Sequence, residues 1–248
     1  MPEGDTIHRT ALTLDRALAG KALVRFDAPR LVYAPFPAGT IVEGATAIGK
    51  HCLVHFDDGR MLRTHMRMTG SWHVYKPGER WRKRATAMRA LVEVEDWVAV
   101  CFAAPEVELV THTQATDHLG PDLCVPDADV ARAAQLLVDL SPPAREIGDA
   151  LLDQRIACGV GNVWKSETLY AERVDPFAAV GALTDGQRLA LLTTAARLLR
   201  EQVERPGGLR QVYGRRGQPC RRCGTPIAWR PQGPHRRGTY WCPACQAA

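Results

Sequence analysis

Two cysteine knuckles near the end of this 248-residue chain constrain its fold more than any other feature. Cys220 and Cys223 are separated by two residues, Cys242 and Cys245 by two, and the pairs by eighteen. Each knuckle can aim two thiolates at one tetrahedral ion, and the interval suits a β-hairpin that brings the knuckles together. The spacing predicts one structural zinc ion, since four cysteine ligands leave no open position for chemistry. A segment this short has little apolar core, so the metal would supply much of its folding free energy. Cys52, Cys101, Cys124 and Cys158 are scattered singly and read as small core residues.

The cysteine-bearing tail is also the basic part of the chain. From Arg205 to Ala248 there are nine arginines and no Asp or Glu, whereas residues 1–204 carry 23 basic and 27 acidic groups. Four thiolates and one zinc ion would still leave the tail near +7, by the usual charge of such sites. Arginine forks onto paired phosphate oxygens, which makes nucleic acid the leading partner ahead of an acidic protein or plain solvation. Arg236 and Arg237 lie just ahead of Thr239-Tyr240-Trp241, placing cations beside aromatic surface. That favours a nucleic-acid finger over a simple C-terminal staple. No apolar run approaches the roughly 20 residues of a membrane span, and MPEGDTIHR lacks a signal pattern. The expectation is a cytoplasmic monomer without membrane attachment, joining the nucleoid when bound to DNA.

Periodicity divides the rest. Residues 5–18 fit a helix with Ile7, Ala11, Leu14 and Leu18 on one face and Asp5 or Thr6 as cap. From Leu23 to Leu123 short strand-like runs such as Cys52–Phe56, Leu91–Val94 and Trp97–Phe102 alternate with turn signals, reading as an antiparallel sandwich or barrel. After Pro126, helices are predicted at Val130–Leu140, Ala144–Ala157, Val163–Arg173 and Thr184–Glu204. The expected division is residues 1–124, 125–206 and 207–248.

Three shorter signals carry chemistry. In Gly159-Val160-Gly161-Asn162 the glycines allow a sharp turn, and Asn162 stands at a helix start, where exposed N–H groups form an anion site. An ordinary helix hairpin capped by Asn162 explains the same residues. Removal of Met1 would leave Pro2 as a secondary amine able to attack a sugar carbon and form an iminium. Such an amine titrates at about 7.7 to 8.0, lower beside a helix N-terminus, and Glu3 could shuttle protons; taken alone, these residues are better explained as a frayed terminus. Lys50 follows Gly49 at the entrance to a strand, where a solvated surface lysine and a phosphate contact are both open readings.

Taken in order, Pro2-Glu3-Gly4, Gly49-Lys50, Gly159-Val160-Gly161-Asn162 and the four-cysteine finger resemble the endonuclease VIII and formamidopyrimidine-DNA glycosylase family along essentially the whole chain. The resemblance implies an α+β multidomain fold: an N-terminal antiparallel β-sandwich with a leading helix, a helix-two-turn-helix domain and a C-terminal zinc-ribbon hairpin. It implies a bifunctional glycosylase and abasic-site lyase of base excision repair, acting on damaged DNA through a proline Schiff base with β,δ-elimination. Pro2 takes the nucleophile's place, Glu3 that of the acid/base, and Lys50 that of the lysine aiding base loss. Asn162 and Arg237 match the phosphate-holding residues. Thr64-His65-Met66-Arg67-Met68-Thr69-Gly70 is similar to the loop that fills the void left by an everted base, which makes Met68 the wedge, a core methionine being the other open reading. The Pro-Glu-Gly opening resembles the endonuclease VIII branch, which implies oxidised pyrimidines as substrates. Thr6 stands where many members carry a second glutamate, and Asp5 is a candidate substitute. Rival readings are a non-catalytic zinc-ribbon nucleic-acid-binding protein and a lyase restricted to abasic sites or single strands.

Overall fold

The structure is a computed structural model that describes residues 2–111 and 116–247, so the expected removal of Met1 concerns a residue outside it. Two compact units emerge: Thr6–Asp117 together with Pro2, and Glu3–Asp5 together with the chain from His118 onward. Helix α1, Gly4–Leu18, forms where the periodicity predicted it, and Ile7, Ala11, Leu14 and Leu18 are all buried.

The first unit contains eight strands, β1 Lys21–Asp27, β2 Ile41–Ile48, β3 His51–Phe56, β4 Arg60–His65, β5 Ser71–Tyr75, β6 Met88–Val94, β7 Val98–Phe102 and β8 Glu106–Thr111. Their order is β5-β7-β6-β1-β2-β3-β4-β8, with every pairing antiparallel. Strand β1 decides between sandwich and barrel. Its first residues, Lys21 and Ala22, pair with β2, and from Leu23 onward it pairs with β6, with a register shift between Leu23 and Arg25. One strand thus passes from one layer to the other, while β5 and β8 remain the two ends of the order. Period-2 alternation turns one face of each layer inward. Val42, Val54, Phe56 and Leu62 from one layer and Val92, Val94, Ala99 and Cys101 from the other bury together with the apolar face of α1.

Helices α2 Val130–Asp139, α3 Ile147–Ala150, α4 Asn162–Ala171 and α5 Asp185–Glu204 build the second unit, with strands β9 Ala228–Gln232 and β10 Arg237–Trp241 as its hairpin. Leu123, Leu137, Ile147, Leu169, Leu191 and Leu199 lie in its main core. Asp129 caps α2 by accepting from Arg132 N, and Thr184 with Gln187 forms a capping box on α5. The predicted helix Ala144–Ala157 shrinks to one turn. The amides of Ile147 and Gly148 donate to Ala178 and Pro176 carbonyls, and Asp153 Oδ1 accepts from Arg155 N, a local turn that competes with helix. The finger has a small core of its own making, in which Val212, Cys220, Ile227 and Cys242 pack with Tyr170 of α4.

Candidate functional site

The site of the second unit is organised by the loop that enters α4. Gly159 has φ of 100°, a conformation natural to glycine. Gln154 staples the loop: its side chain accepts from Gly159 N at 3.2 Å and donates to Leu152 O at 2.8 Å and Val160 O at 3.1 Å. The loop then delivers the first amides of α4, which have no partner within the helix.

Those amides are taken by the chain's own N-terminal segment. Glu3 Oε1 accepts from Val163 N at 2.8 Å and Oε2 from Trp164 N at 3.2 Å, and Glu3 is buried. Gly4 N donates to Gly159 O at 2.9 Å, and Asp5 Oδ1 accepts from Trp164 Nε1 at 3.0 Å. The helix start is therefore an anion site, as its glycines and asparagine suggested, and its anion is the Glu3 carboxylate. Two capping expectations change accordingly. Asp5 bonds an indole across the unit, and the N-cap of α4 is Gly161, which has no side chain to cap with.

Asn162 faces the hairpin. Its Nδ2 donates to Gly238 O at 2.7 Å, while Oδ1 is buried without a hydrogen-bond partner among the described residues. That bond ties the start of α4 to the residue following Arg237, which stands exposed at the head of β10. A second tie lies one turn on. Lys165 is wholly buried and donates from Nζ to Thr239 Oγ1 at 2.7 Å. Thr239 donates to Gln232 Oε1 at 2.7 Å, and Gln232 Nε2 donates to Glu146 Oε2 at 2.9 Å and Pro176 O at 2.8 Å. Burial pulls the Lys165 ammonium down to about 8; the charge of Arg237 adds to this, while Asp149 and Glu3 act against it. Glu167 completes the attachment by accepting the backbone amides of Gln211, Val212 and Tyr213 at 2.9 to 3.1 Å.

In the finger, the four sulfurs of Cys220, Cys223, Cys242 and Cys245 lie within 4.8 Å of one another. Cys223 and Cys242 are 3.4 Å apart and Cys220 and Cys245 4.0 Å apart, close to the separation of about 3.8 Å that tetrahedral bonds of about 2.3 Å impose. Amides of the knuckles reach the sulfurs, Arg222 N to Cys220 and Cys245 N to Cys242, both at 3.4 Å. The cluster fits a metal ion. Beside Arg236 and Arg237 the aromatic residues are half-buried: Trp241 meets Phe177 edge-on at 4.9 Å and Tyr240 meets Tyr213 at 5.0 Å. The other four cysteines are buried, and burial pushes the Cys52 thiol up to about 12, as suits inert core residues.

The first unit gathers its own candidates at one end of the sandwich. Gly49 and Lys50 form the two-residue turn between paired Ile48 and His51, with Gly49 at φ of 54°. His51 pairs in turn with His65, so the β2–β3 turn and the Met66–Gly70 turn after β4 share that end. Burial lowers the His65 imidazole to about 4, helped by the charges of Arg67, Lys50 and Arg63 against the opposing pull of Glu106. Met68 is 67% exposed at the turn, with Arg67 beside it at φ of 45°, which removes the core-methionine reading.

Sequence reasoning missed Lys165, Glu167 and Gln154. Nothing in the local spacing of Val163-Trp164-Lys165-Ser166-Glu167 marks this lysine and glutamate as buried, and only their tertiary partners reveal it.

These features define a protein with a β-sandwich unit and a helical unit whose two-turn junction carries a four-cysteine hairpin. Family models for the formamidopyrimidine-DNA glycosylase N-terminal domain and the formamidopyrimidine-DNA glycosylase H2TH domain match residues 1–107 and 119–213. The chain is 40% identical to a Streptomyces coelicolor protein named probable endonuclease 8 2, covering 100% of this chain and 94% of the relative. It is 36% identical to the DNA-(apurinic or apyrimidinic site) lyase Nei2 of Mycolicibacterium smegmatis, covering 100% of each. Among solved structures, Lactococcus lactis formamidopyrimidine DNA glycosylase, bound noncovalently to DNA containing an AP site, shares the fold with a TM-score of 0.84 at 22% identity over 100% of both chains. The chain belongs to the endonuclease 8 and formamidopyrimidine-DNA glycosylase family.

Proposed function

We propose that this protein is a bifunctional DNA glycosylase and abasic-site lyase of base excision repair, with Pro2 as nucleophile and oxidised pyrimidines as preferred substrates. The observation that carries the reading is the seating of Glu3 on the amides of Val163 and Trp164. It fixes the residue next to Pro2 and supplies a held carboxylate one peptide unit from a secondary amine. The amine attacks C1′ of an everted nucleotide, the C1′–N bond to the base breaks, and the sugar ring opens as the iminium forms. Glu3 moves the protons of ring opening and of the two eliminations that release the 3′ and then the 5′ phosphate. Lys50 assists departure of the base, and Met68, exposed on its turn, fills the gap in the duplex.

Asn162 and Arg237 hold backbone phosphates. The Asn162 amide has a second N–H beyond the one given to Gly238 O, and the same bond places the Arg237 segment beside it. The four cysteines bind one zinc ion, which folds the hairpin and takes no part in the reaction. The relatives named endonuclease 8 support the placement in the endonuclease VIII branch, from whose resemblance the lean towards pyrimidines comes.

Borohydride reduction on duplexes carrying thymine glycol, 8-oxoguanine or an abasic site tests the reading. A trapped covalent complex that maps to Pro2, formed with thymine glycol in preference to 8-oxoguanine, is the expected result. Undiminished trapping by protein with a verified N-terminal block would overturn the assignment of Pro2, and no trapping on any substrate would overturn the enzyme.

A further inference from the structure

The catalytic reading leaves unused a strongly basic segment of the first unit. Between β5 and β6 the chain runs Lys76-Pro77-Gly78-Glu79-Arg80-Trp81-Arg82-Lys83-Arg84, five cations against one carboxylate. The excess of acidic groups over residues 1–204 conceals this concentration. The segment is strapped to the sheet by the side chains of Trp81 and Lys83 and by the backbone amide of Arg82. Trp81 meets Phe102 edge-on at 5.6 Å, Arg82 N donates to Tyr75 Oη at 3.1 Å, and Lys83 Nζ donates to Ser71 Oγ at 2.8 Å. Arg80, Arg82 and Arg84 alternate with these anchors and are exposed.

Three arginines without an ion pair within five residues mark the strap, since Arg16, Arg30 and Arg89, which share that lack among the described residues, stand singly. Arg25, Arg60, Arg63 and Arg67 each face a carboxylate, those of Glu93, Asp58, Glu108 and Glu106. Among the described residues, Arg80, Arg82 and Arg84 make no ion pair. The field they create reaches inward as well. The imidazole of His73 is held below its usual range by burial and then by the charges of Lys83 and Arg82. Concentrating like charges without counter-ions is unfavourable for the folded chain alone and is relieved by a polyanion.

Position supplies the second argument. From Tyr75 the strap folds back along β5, so that Lys83 reaches Ser71 at that strand's beginning. Just past its end Ala87 O accepts from Ala103 N at 2.7 Å, and Ala103 O accepts from Thr69 Oγ1 at 2.9 Å. Two hydrogen bonds therefore link the short turn Ala85–Ala87, which directly follows the strap, to the residue after Met68. Residues 79–85 also line a concavity of about 570 Å³, ample for a phosphodiester. Arg80 to Arg84 can span at most about 13 Å of extended chain, the rise of roughly four phosphates at 3.4 Å each along one strand.

We propose that this strap is a phosphate-binding element that grips the DNA backbone beside the Met68 turn, with Arg80, Arg82 and Arg84 as its contacts. The placement on DNA rests on the function proposed above. Because the contacts are to phosphates, the strap adds affinity to damaged and undamaged duplex alike and reads no sequence.

The test is the salt dependence of binding, measured by fluorescence anisotropy with undamaged and abasic-site duplexes. Full-length R80A/R82A/R84A should bind both more weakly, with a log–log slope shallower by up to about 2.7 units, from roughly 0.9 for each phosphate no longer neutralised. R80K/R82K/R84K should retain most of the slope, since lysine keeps the charge. Thermal unfolding of both variants identifies any general loss of fold. A folded alanine variant with the wild-type slope would overturn the proposal, as would a loss seen on duplex RNA but absent on DNA. Borohydride trapping of the wild type on the same abasic duplex separates the two readings. Strap-dependent binding without trapping sinks the enzyme and keeps the strap, whereas trapping with an unchanged slope does the reverse.

Discussion

Replacing Gly161 by alanine should disable the Glu3 carboxylate without touching Glu3 itself. Gly161 has φ of −118° and ψ of −167°, extended backbone that alanine adopts freely, so the substitution brings no backbone strain. Its new Cβ would lie 2.5 Å from both Glu3 Cγ and Oε1, and closer still to Cδ. Ordinary contact between carbon atoms is about 3.5 to 4.0 Å. The side chain must therefore retreat by roughly 1 Å or more, beyond reach of its bonds to Val163 N and Trp164 N. Hydrogen bonds to a charged group are worth about 1.5 to 3 kcal/mol each. Water can replace part of that at a helix end, and alanine stabilises by about 0.4 to 1 kcal/mol through the unfolded chain. The net cost should be about 1 to 3 kcal/mol. A proton-transfer group contributes about 10²- to 10⁴-fold to rate, and a displacement of about 1 Å costs on the order of 10². Single-turnover cleavage at a preformed abasic site should thus slow about 100-fold, while the protein stays folded at the assay temperature. Glu3→Gln supplies the reference: the double variant should be little slower than E3Q alone, since both changes remove one interaction. A wild-type rate in G161A, or losses that multiply in the double variant, would refute the assignment of Glu3 to proton transfer from the α4 terminus.

Three further outcomes follow from the same geometry. Lys50→Ala should slow base excision at least 10-fold more than cleavage of a preformed abasic site, because help to a departing base is needed only in the first; equal losses in single-turnover assays would reduce Lys50 to a phosphate or fold contact. Chelation, or Cys242→Ser, should remove metal and DNA affinity together, whereas Arg237→Ala should keep the metal and flatten the salt dependence of binding by roughly one unit; zinc content measured beside anisotropy checks both, and an unchanged slope in metal-loaded R237A would leave the finger a staple. Lys165 titrates at about 8 in the folded protein and at about 10.4 when unfolded, so between those values the unfolded chain holds more protons and stability rises with pH. Below about pH 8 both states are protonated and the burial cost is present in full. Denaturation by urea across that window should show wild type gaining up to about 3 kcal/mol relative to Lys165→Met, from 1.36 kcal/mol per pKa unit, and a constant difference between the two would refute it.

Signals that act within a few residues were legible in the sequence. The cysteine knuckles, the Thr184 start of α5 and the stripe Ile7, Leu14 and Leu18 each depend on local spacing, and each appears where that spacing placed it. The stretch Ala144–Ala157 is less helical than its pattern suggests because its early amides find carbonyls at Pro176 and Ala178, partners that no local pattern announces. The choice between sandwich and barrel likewise rested on a change of partner strand between Ala22 and Leu23 of β1. At the site, glycines and an asparagine marked an anion-binding helix start, but the identity of the anion was hidden by the distance between residue 3 and residue 163. The buried roles of Lys165 and Glu167 were hidden for the same reason, since a charged residue on a helix is usually solvated.

Glu3, Gly4 and Asp5 are bonded to residues of the Gly159–Trp164 loop, a separation of 160 positions between Glu3 and Val163. Joining positions so far apart closes a long loop, an entropic cost that grows only slowly with length. Glu3 is therefore held only while the Gly159–Trp164 loop is itself folded, and a local opening of that loop releases the carboxylate at the same moment.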